Sequence, residues 1–377
     1  MLSCAVSVAR NHLRRNAKIL LLLHVVQPPA NPTCRGSDIM PKRHRTELSL
    51  VLALALLLLA ILGCRSTNQS KGPSWAKAKV LSDNEDHPSK VISDGQFVYF
   101  VTGGTVASMH EGTNNIKKIS LKDGSVSVLV KGGERIPDHA LAADEKFLYW
   151  SDGGNILRVA KDGAGQASET IIKGAPAPDE ILLDSENFYW LIWSGEGSPP
   201  HPVMFAPRAG GEPNKLTPPQ TGTSGLSLDK DFVYWMTGDG IKKIPKAGGE
   251  VTEIYHNSSQ WPSLGLAQDA ENFYFCQMNS KGHSALIKLG KKSGEVTQLA
   301  PSINHTMEFV IDETNVYYFD EVPGTGSFGP VALKKVSKAG ADPVVLDQGE
   351  AGWINHLAVD STQVFFTDIS KVYGLRK

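Results

Sequence analysis

Residues Ala143–Gly163 read ADEKFLYWSDGGNILRVAKDG, and at their centre Phe147, Leu148, Tyr149 and Trp150 stand side by side. A strand with one wet face alternates apolar and polar residues. Four large apolar residues in succession therefore need cover on both faces, and the rest of the chain must supply it. The chain has 377 residues, 41% of them hydrophobic, which is enough for a large core.

The stretch recurs. VISDGQFVYF, LAADEKFLYW, ILLDSENFYW, LSLDKDFVYW, LAQDAENFYF, FVIDETNVYYF and LAVDSTQVFF carry Asp94, Asp144, Asp184, Asp229, Asp269, Asp312 and Asp360. The steps between these aspartates are 50, 40, 45, 40, 43 and 48 residues, and in every copy an aromatic residue follows the Asp by five. A second apolar run comes after each copy, such as ILRVAKDG from Ile156 or IKKIPKAGG from Ile241, and then a Gly turn. In most units this leads to a last short run such as SVSVLV or EVTEIY. Four short strands per unit at this period predict an all-β chain folded as a seven-bladed β-propeller. FLYW is then the second strand of a blade, covered on both faces by its neighbours. The seventh copy stops at its third strand, at Lys377. WAKAKVLS, Trp75 to Ser82, is expected to supply the missing fourth strand beside Val372–Leu375. The ring is thus closed by an N-terminal strand, with the propeller spanning 74–377.

YWSD, Tyr149 to Asp152, and FFTD, Phe365 to Asp368, resemble the YWTD repeat of lipoprotein-receptor propellers, and the whole region resembles bacterial propellers of unassigned function with the same repeat style. The motif Asp is replaced in YFVT, YWLI and YWMT, and the receptor propellers have six blades. The resemblance implies the fold and not the receptor function.

Ahead of the propeller, Leu48–Leu62 is an apolar run, broken only by Ser49 and preceded by Lys42, Arg43 and Arg45. A basic start, a short apolar core and a small residue at the cut describe a secretory signal. ILGC, Ile61 to Cys64, resembles the lipobox of bacterial lipoproteins, although Leu62 stands where that family usually has a small residue. The resemblance implies cleavage before Cys64, acylation of that cysteine and anchoring in the cell envelope. Arg65 stands where those families place an inner-membrane-retaining Asp, which implies the outer membrane. The expected organisation is an upstream extension over 1–39, a signal peptide over 40–63 beginning at Met40, and a polar tether over 64–73.

The 64 residues up to Cys64 hold 8 of the 38 basic and 2 of the 39 acidic residues, leaving 30 basic against 37 acidic, a formal −7. That balance argues against nucleic acid. Of four cysteines only Cys276 remains in the mature domain as a free thiol, inside the strand-like run NFYFCQM, where it reads as buried and inert.

The loops leading into the innermost strands share one face around the central channel. Asp138, His139, Trp261, His305, Trp353 and His356 fall there and are the candidate ligand-binding residues, because carboxylates, imidazoles and indoles converging at one mouth suit a protein, peptide or glycan ligand. Loops are also polar for local reasons. The histidines precede their Asp by unequal offsets, which does not describe a symmetric metal ring. No HExxH, paired CxxC or phosphate-binding Gly loop occurs, so no metal or other cofactor is expected. The reading is a lipid-anchored monomeric binding or scaffold module. The alternative is a metal-assisted hydrolase, lactonase or lyase at the channel mouth. The aspartates read as turn caps on the opposite face, and the basic slot Lys118, Arg158, Lys243, Lys288 and Lys335 as a blade rim whose stems cover apolar surface.

The anchor is directly checkable. A Cys64→Ser variant is expected to lose its acyl chains by mass spectrometry and to leave the membrane fraction, and translation from Met40 is expected to support full export.

Overall fold

The computed structural model describes residues 75–103, 114–133, 140–163, 167–192, 199–256, 263–278, 283–303, 308–322, 329–349, 354 and 356–377. These form 28 strands in seven four-stranded antiparallel sheets, with no helix among them. Blade 1 contains β2 (Val91–Ser93), β3 (Phe97–Thr102), β4 (Asn114–Ser120) and β5 (Val126–Gly133). Blade 2 contains β6 (Leu141–Ala143), β7 (Phe147–Ser151), β8 (Asn155–Ala160) and β9 (Glu169–Lys173). Blade 3 is β10 (Glu180–Leu183), β11 (Asn187–Leu191), β12 (Met204–Pro207) and β13 (Asn214–Lys215). Blade 4 is β14 (Ser224–Leu228), β15 (Phe232–Thr237), β16 (Gly240–Pro245) and β17 (Thr252–His256), and blade 5 is β18 (Ser263–Gln268), β19 (Asn272–Met278), β20 (Ser284–Gly290) and β21 (Val296–Ile303). Blade 6 comprises β22 (Phe309–Ile311), β23 (Asn315–Glu321), β24 (Val331–Ser337) and β25 (Val344–Gly349), and blade 7 takes β26 (Leu357–Val359), β27 (Gln363–Thr367), β28 (Val372–Arg376) and β1 (Lys79–Ser82).

The run FLYW is β7, and its residues divide between two neighbours. Leu148 and Trp150 pack with Tyr99 and Val101 of blade 1. Tyr149, pointing the other way, packs with Phe188 and Trp190 of blade 3. Period-two alternation thus gives each second strand two dry faces. The pattern repeats around the ring in seven apolar clusters, each joining residues of adjacent blades. Full burial of one such side chain contributes roughly 1.5–3 kcal/mol, so the clusters set most of the ring's stability. Cys276 belongs to the cluster between blades 5 and 6, and burial pushes its thiol up to about 12, as an inert structural residue requires.

A polar staple accompanies the apolar packing. Each repeat Asp accepts two backbone N–H groups of its own turn, as in Asp312 Oδ1 with Thr314 N at 2.9 Å and Asn315 N at 2.8 Å. This is the expected cap. The other oxygen does more: Asp312 Oδ2 accepts the Tyr317 hydroxyl at 2.8 Å and the Lys377 ammonium of the next blade at 2.6 Å. Asp94–Tyr99–Lys161, Asp144–Tyr149–Arg208 and Asp269–Tyr274–Lys338 repeat the arrangement. Asp184 is joined by Lys246 at 2.7 Å, and Lys291 lies over the Tyr234 ring in the blade that follows Asp229. Burial works to raise the Asp269 and Asp312 carboxyls, but the lysine ammonium and tyrosine hydroxyl on each outweigh it and hold both below the usual carboxylate range. The rim cations do cover apolar surface: Lys118, Arg158 and Lys243 lie 4.6, 4.4 and 4.3 Å from the ring centres of Phe97, Phe147 and Phe232. Lys118 also reaches the next blade, donating to the Lys161 carbonyl at 2.8 Å.

The boundary between blades 7 and 1 departs from this. Asp360 keeps its cap, but Phe365 stands in the tyrosine position and Leu121 in the cation position. Closure comes from β1, which pairs antiparallel with β28 as expected, Lys79 opposite Gly374 and Val80 opposite Tyr373. Trp75 seats its ring edge-on against Phe366 at 4.7 Å and Phe319 at 5.8 Å. Buried Asp347 accepts the N–H groups of Ala76, Lys77 and Ala78 at 3.2, 2.8 and 2.8 Å. A Cβ on Gly349 would come within 2.7 Å of the Trp75 indole, so only glycine admits it.

Two stability predictions follow from these contacts. Trp75→Ala is expected to cost about 3–5 kcal/mol, the range for a truncated buried Trp, and deletion of 75–82 to cause aggregation through the bared β28 edge; thermal melts and light scattering read both. Asp312→Ala is expected to cost about 1–2 kcal/mol as a lost cap, and more than Asp360→Ala. The native Asp312 carboxyl is held below its unfolded value near 3.9, so its contribution is complete above that pH. The gap between parent and Asp312→Ala in denaturant melts should close as pH falls from about 5 towards 2.

Candidate functional site at the channel mouth

The strand registers define one equivalent position per blade at the mouth of the channel. Val91, Leu141, Ile181, Leu226, Leu266, Phe309 and Leu357 each face the same place on their second strands, opposite Phe100, Trp150, Trp190, Trp235, Phe275, Tyr318 and Phe366. The residue before each is Lys90, Ala140, Glu180, Gly225, Gly265, Glu308 and His356. All seven lie four residues ahead of the repeat Asp. Four blades thus bring polar or charged side chains to the ring, and three bring none.

Contacts across blades show that these side chains converge. Glu180 of blade 3 accepts the Leu226 N–H of blade 4 on Oε2 at 2.9 Å. A bulge at Gly225, whose φ is +55°, breaks the β14–β15 ladder beside Leu226. A Cβ on Gly225 would lie 2.7 Å from the Leu266 nitrogen, so glycine is what lets the inner strands of blades 4 and 5 approach. Opposite, His356 of blade 7 is 4% exposed, with Nδ1 2.8 Å from Glu308 Oε2 of blade 6. Lys90 of blade 1 approaches the other Glu308 oxygen at 3.9 Å. Burial pushes the Glu180 carboxyl up to about 7, Lys90 and the Leu226 N–H oppose that, and Asp179 and Glu308 add to it. Glu180 is half-buried, and Lys90 and Glu308 of other blades act on its carboxyl across the channel.

Of the six sequence candidates, His356 is in the ring. Asp138, His139, Trp261, His305 and Trp353 lie outside the described residues, as does Cys64. Other polar residues near the mouth are engaged elsewhere: Asp86 with His87 at 3.0 Å, His283 with Ser302 at 3.2 Å, and Asp320 with Lys334 at 2.7 Å. Lys90, Glu180 and Glu308 form the larger part of the ring. The signal that locates them is the fixed offset from the Asp, visible only when all residue types at that offset are compared and not the histidines alone.

Elsewhere, among the described residues, Asp239, Glu253 and His256 gather ligand atoms within 4.8 Å, but all three are exposed and belong to the outer half of blade 4, with Lys242 3.6 Å from Asp239. A groove of about 530 Å³ on the turn face is lined by Asp144, Phe147, Arg158 and Arg208. Its two arginines are committed, Arg208 to Asp144 and Tyr149 and Arg158 to Glu169.

No protein-family model and no curated protein matches this sequence. Solved structures match its fold. The propeller domain of the Trilobed protease from Pyrococcus furiosus, of open velcro topology, aligns with a TM-score of 0.53 at 14% identity over 77% of this chain and 95% of its own. A puromycin-hydrolysing peptidase from Mycobacterium tuberculosis aligns at 0.55 and 12% identity, over 81% of this chain and 56% of its own. The extracellular domain of a protein from B. thetaiotaomicron described as a one component system aligns at 0.56 and 12%, over 81% and 40%. This chain therefore spans little more than half of the peptidase and less than half of the last protein. At these identities the likeness is one of fold: the chain is a seven-bladed β-propeller.

Proposed function

We propose that this chain is an extracytoplasmic binding or scaffold module, lipid-anchored through Cys64 in the outer membrane, whose channel mouth takes a protein, peptide or glycan partner. The observation that carries this reading is the ring at the common offset, where Lys90, Glu180, Glu308 and His356 from four blades meet in one channel. Rigid inner strands hold such groups in fixed relation, as a recognition site requires. The lipobox-like ILGC supports the anchor. The extracellular setting of the B. thetaiotaomicron domain is in keeping with an exported propeller. The donors at the mouth favour binding over metal-assisted hydrolysis, because no three of the described His, Asp and Glu groups there gather ligand atoms as a metal needs.

The test is co-purification of the full chain from detergent-solubilised membranes. A specific partner should be retained by the parent and by Asp229→Ala, and lost from Glu180→Gln/His356→Ala and from Trp261→Ala/Trp353→Ala, with thermal melts confirming that each variant is folded. Loss with Asp229→Ala and retention by both mouth variants would move the functional surface to the turn face.

A further inference from the structure

We propose that the channel ring receives a primary ammonium group, the lysine side chain or free amino terminus of a peptide, seated against the Glu180 carboxylate; this rests on the binding-module reading above. The two carboxylates of the ring are not in the same condition. Glu308 is provided for: Lys90 stands at 3.9 Å and His356 at 2.8 Å. Glu180 is not. It holds one backbone N–H, and among the described residues no cationic nitrogen lies within 4.0 Å of it. The neighbouring ring positions on either side are Ala140 and Gly225, with Gly265 beyond, so no bulky or charged side chain from the ring stands next to it. Among the described residues the ring thus presents a carboxylate with one backbone donor and its nearest ring cation, Lys90, beyond ion-pair distance.

An alkylammonium completes such a site with one charge-assisted hydrogen bond, and its remaining N–H groups need only neutral acceptors. A divalent cation needs more. The described His, Asp and Glu ligand atoms of the ring do not gather within 4.8 Å in any group of three, and Lys90 faces the same space. An anion would meet Glu180, Asp179 and Glu308 together.

The groups facing Glu180 are Lys90 from blade 1, Asp179 beside it, Glu308 from blade 6 and the Leu226 N–H from blade 4. Burial and the two acids bring its titration to about 7. Ammonium binding is therefore an exchange. Protonated Glu180 gives its proton to solvent, and the carboxylate left behind pairs with the incoming R–NH3⁺, which stays fully protonated. A lysine ammonium keeps its charge throughout this range, so the pH dependence belongs to the protein.

Isothermal titration of the full chain in detergent tests this with two probes. Nα-acetyl-lysine amide offers only a side-chain ammonium, and glycine amide only a terminal one. Diacetylated lysine amide is the uncharged control. We expect saturable 1:1 binding of at least one charged probe and none of the control, and the probe that binds identifies the source. For the lysine probe, affinity should rise about tenfold from pH 6 to pH 8, as for a carboxyl titrating near 7, with an enthalpy near pH 7 that varies with the buffer's own ionisation. Glu180→Gln keeps the acceptor for Leu226 N–H and should abolish binding at an unchanged melting temperature. Lys90→Met removes the competing charge and should tighten binding at pH 8. Absence of binding by both ammonium probes, undiminished binding in Glu180→Gln, weaker binding in Lys90→Met, or displacement of the probe by equimolar Ca²⁺ or Mn²⁺ would each overturn the proposal. A membrane partner still lost from the mouth variants would then leave the binding module standing without its ammonium site, whereas a partner indifferent to those variants refutes both.

Discussion

Everything in this ring depends on one constraint: the second strand of each blade must be dry on both faces. Leu148 and Trp150 satisfy it towards blade 1, and Tyr149 towards blade 3. No blade can do so alone, because a single four-stranded sheet has two apolar faces and no partner for either. The fold is therefore obligately circular, and its cohesion resides in the boundaries between blades. The tyrosine at the centre of most second strands has a second duty. Its hydroxyl must find a polar partner once the ring is buried, and the turn aspartate provides it in five of the repeats. That aspartate is in turn completed by a cation from the following blade at most boundaries. Apolar burial and charge pairing are thus coupled through one side chain.

The two faces of the ring divide the labour. Turn aspartates, tyrosines and lysines on one face are consumed by holding blades together. On the other face, residue type at the mouth ring varies from blade to blade: Ala140, Gly225 and Gly265 hold the same place as Lys90, Glu180, Glu308 and His356, so the strand pattern itself does not call for charge there. Charged residues where alanine and glycine also serve are the ones free to be used in recognition.

The architecture was legible because it is written in repetition: seven aspartates, each with an aromatic residue five places on, fix blade number, strand order and the identity of strand two. Closure by Trp75–Ser82 was legible from the incomplete last copy. The staples were only half legible. Asp312 could be read as a local cap, but the partnership with Lys377 spans two blades, and nothing local in the sequence announces it. The mouth was least legible. Glu180 and Glu308 look like ordinary loop acids until strand register shows that they share a place with Lys90 and His356. Chemistry-bearing residue types drew notice to Trp261 and Trp353, whereas equivalence of position, not type, is what assembles the ring.

The odd boundary carries a consequence for biosynthesis. β1 leaves the ribosome early, but Asp347, which receives its leading residues, follows Lys77 by 270 positions. Until β28 is made, this strand has no partner edge. An unpaired strand edge is a template for aggregation. Lys77 and Lys79, just ahead of Val80 and Leu81 in β1, are the kind of charges that discourage such pairing. The boundary between blades 7 and 1 then closes without an ion-paired staple, through Phe365 and Leu121, while the Trp75 indole packs between blades 6 and 7. A mainly apolar latch is forgiving of approach angle, which suits the one joint that must be made last and from a distance.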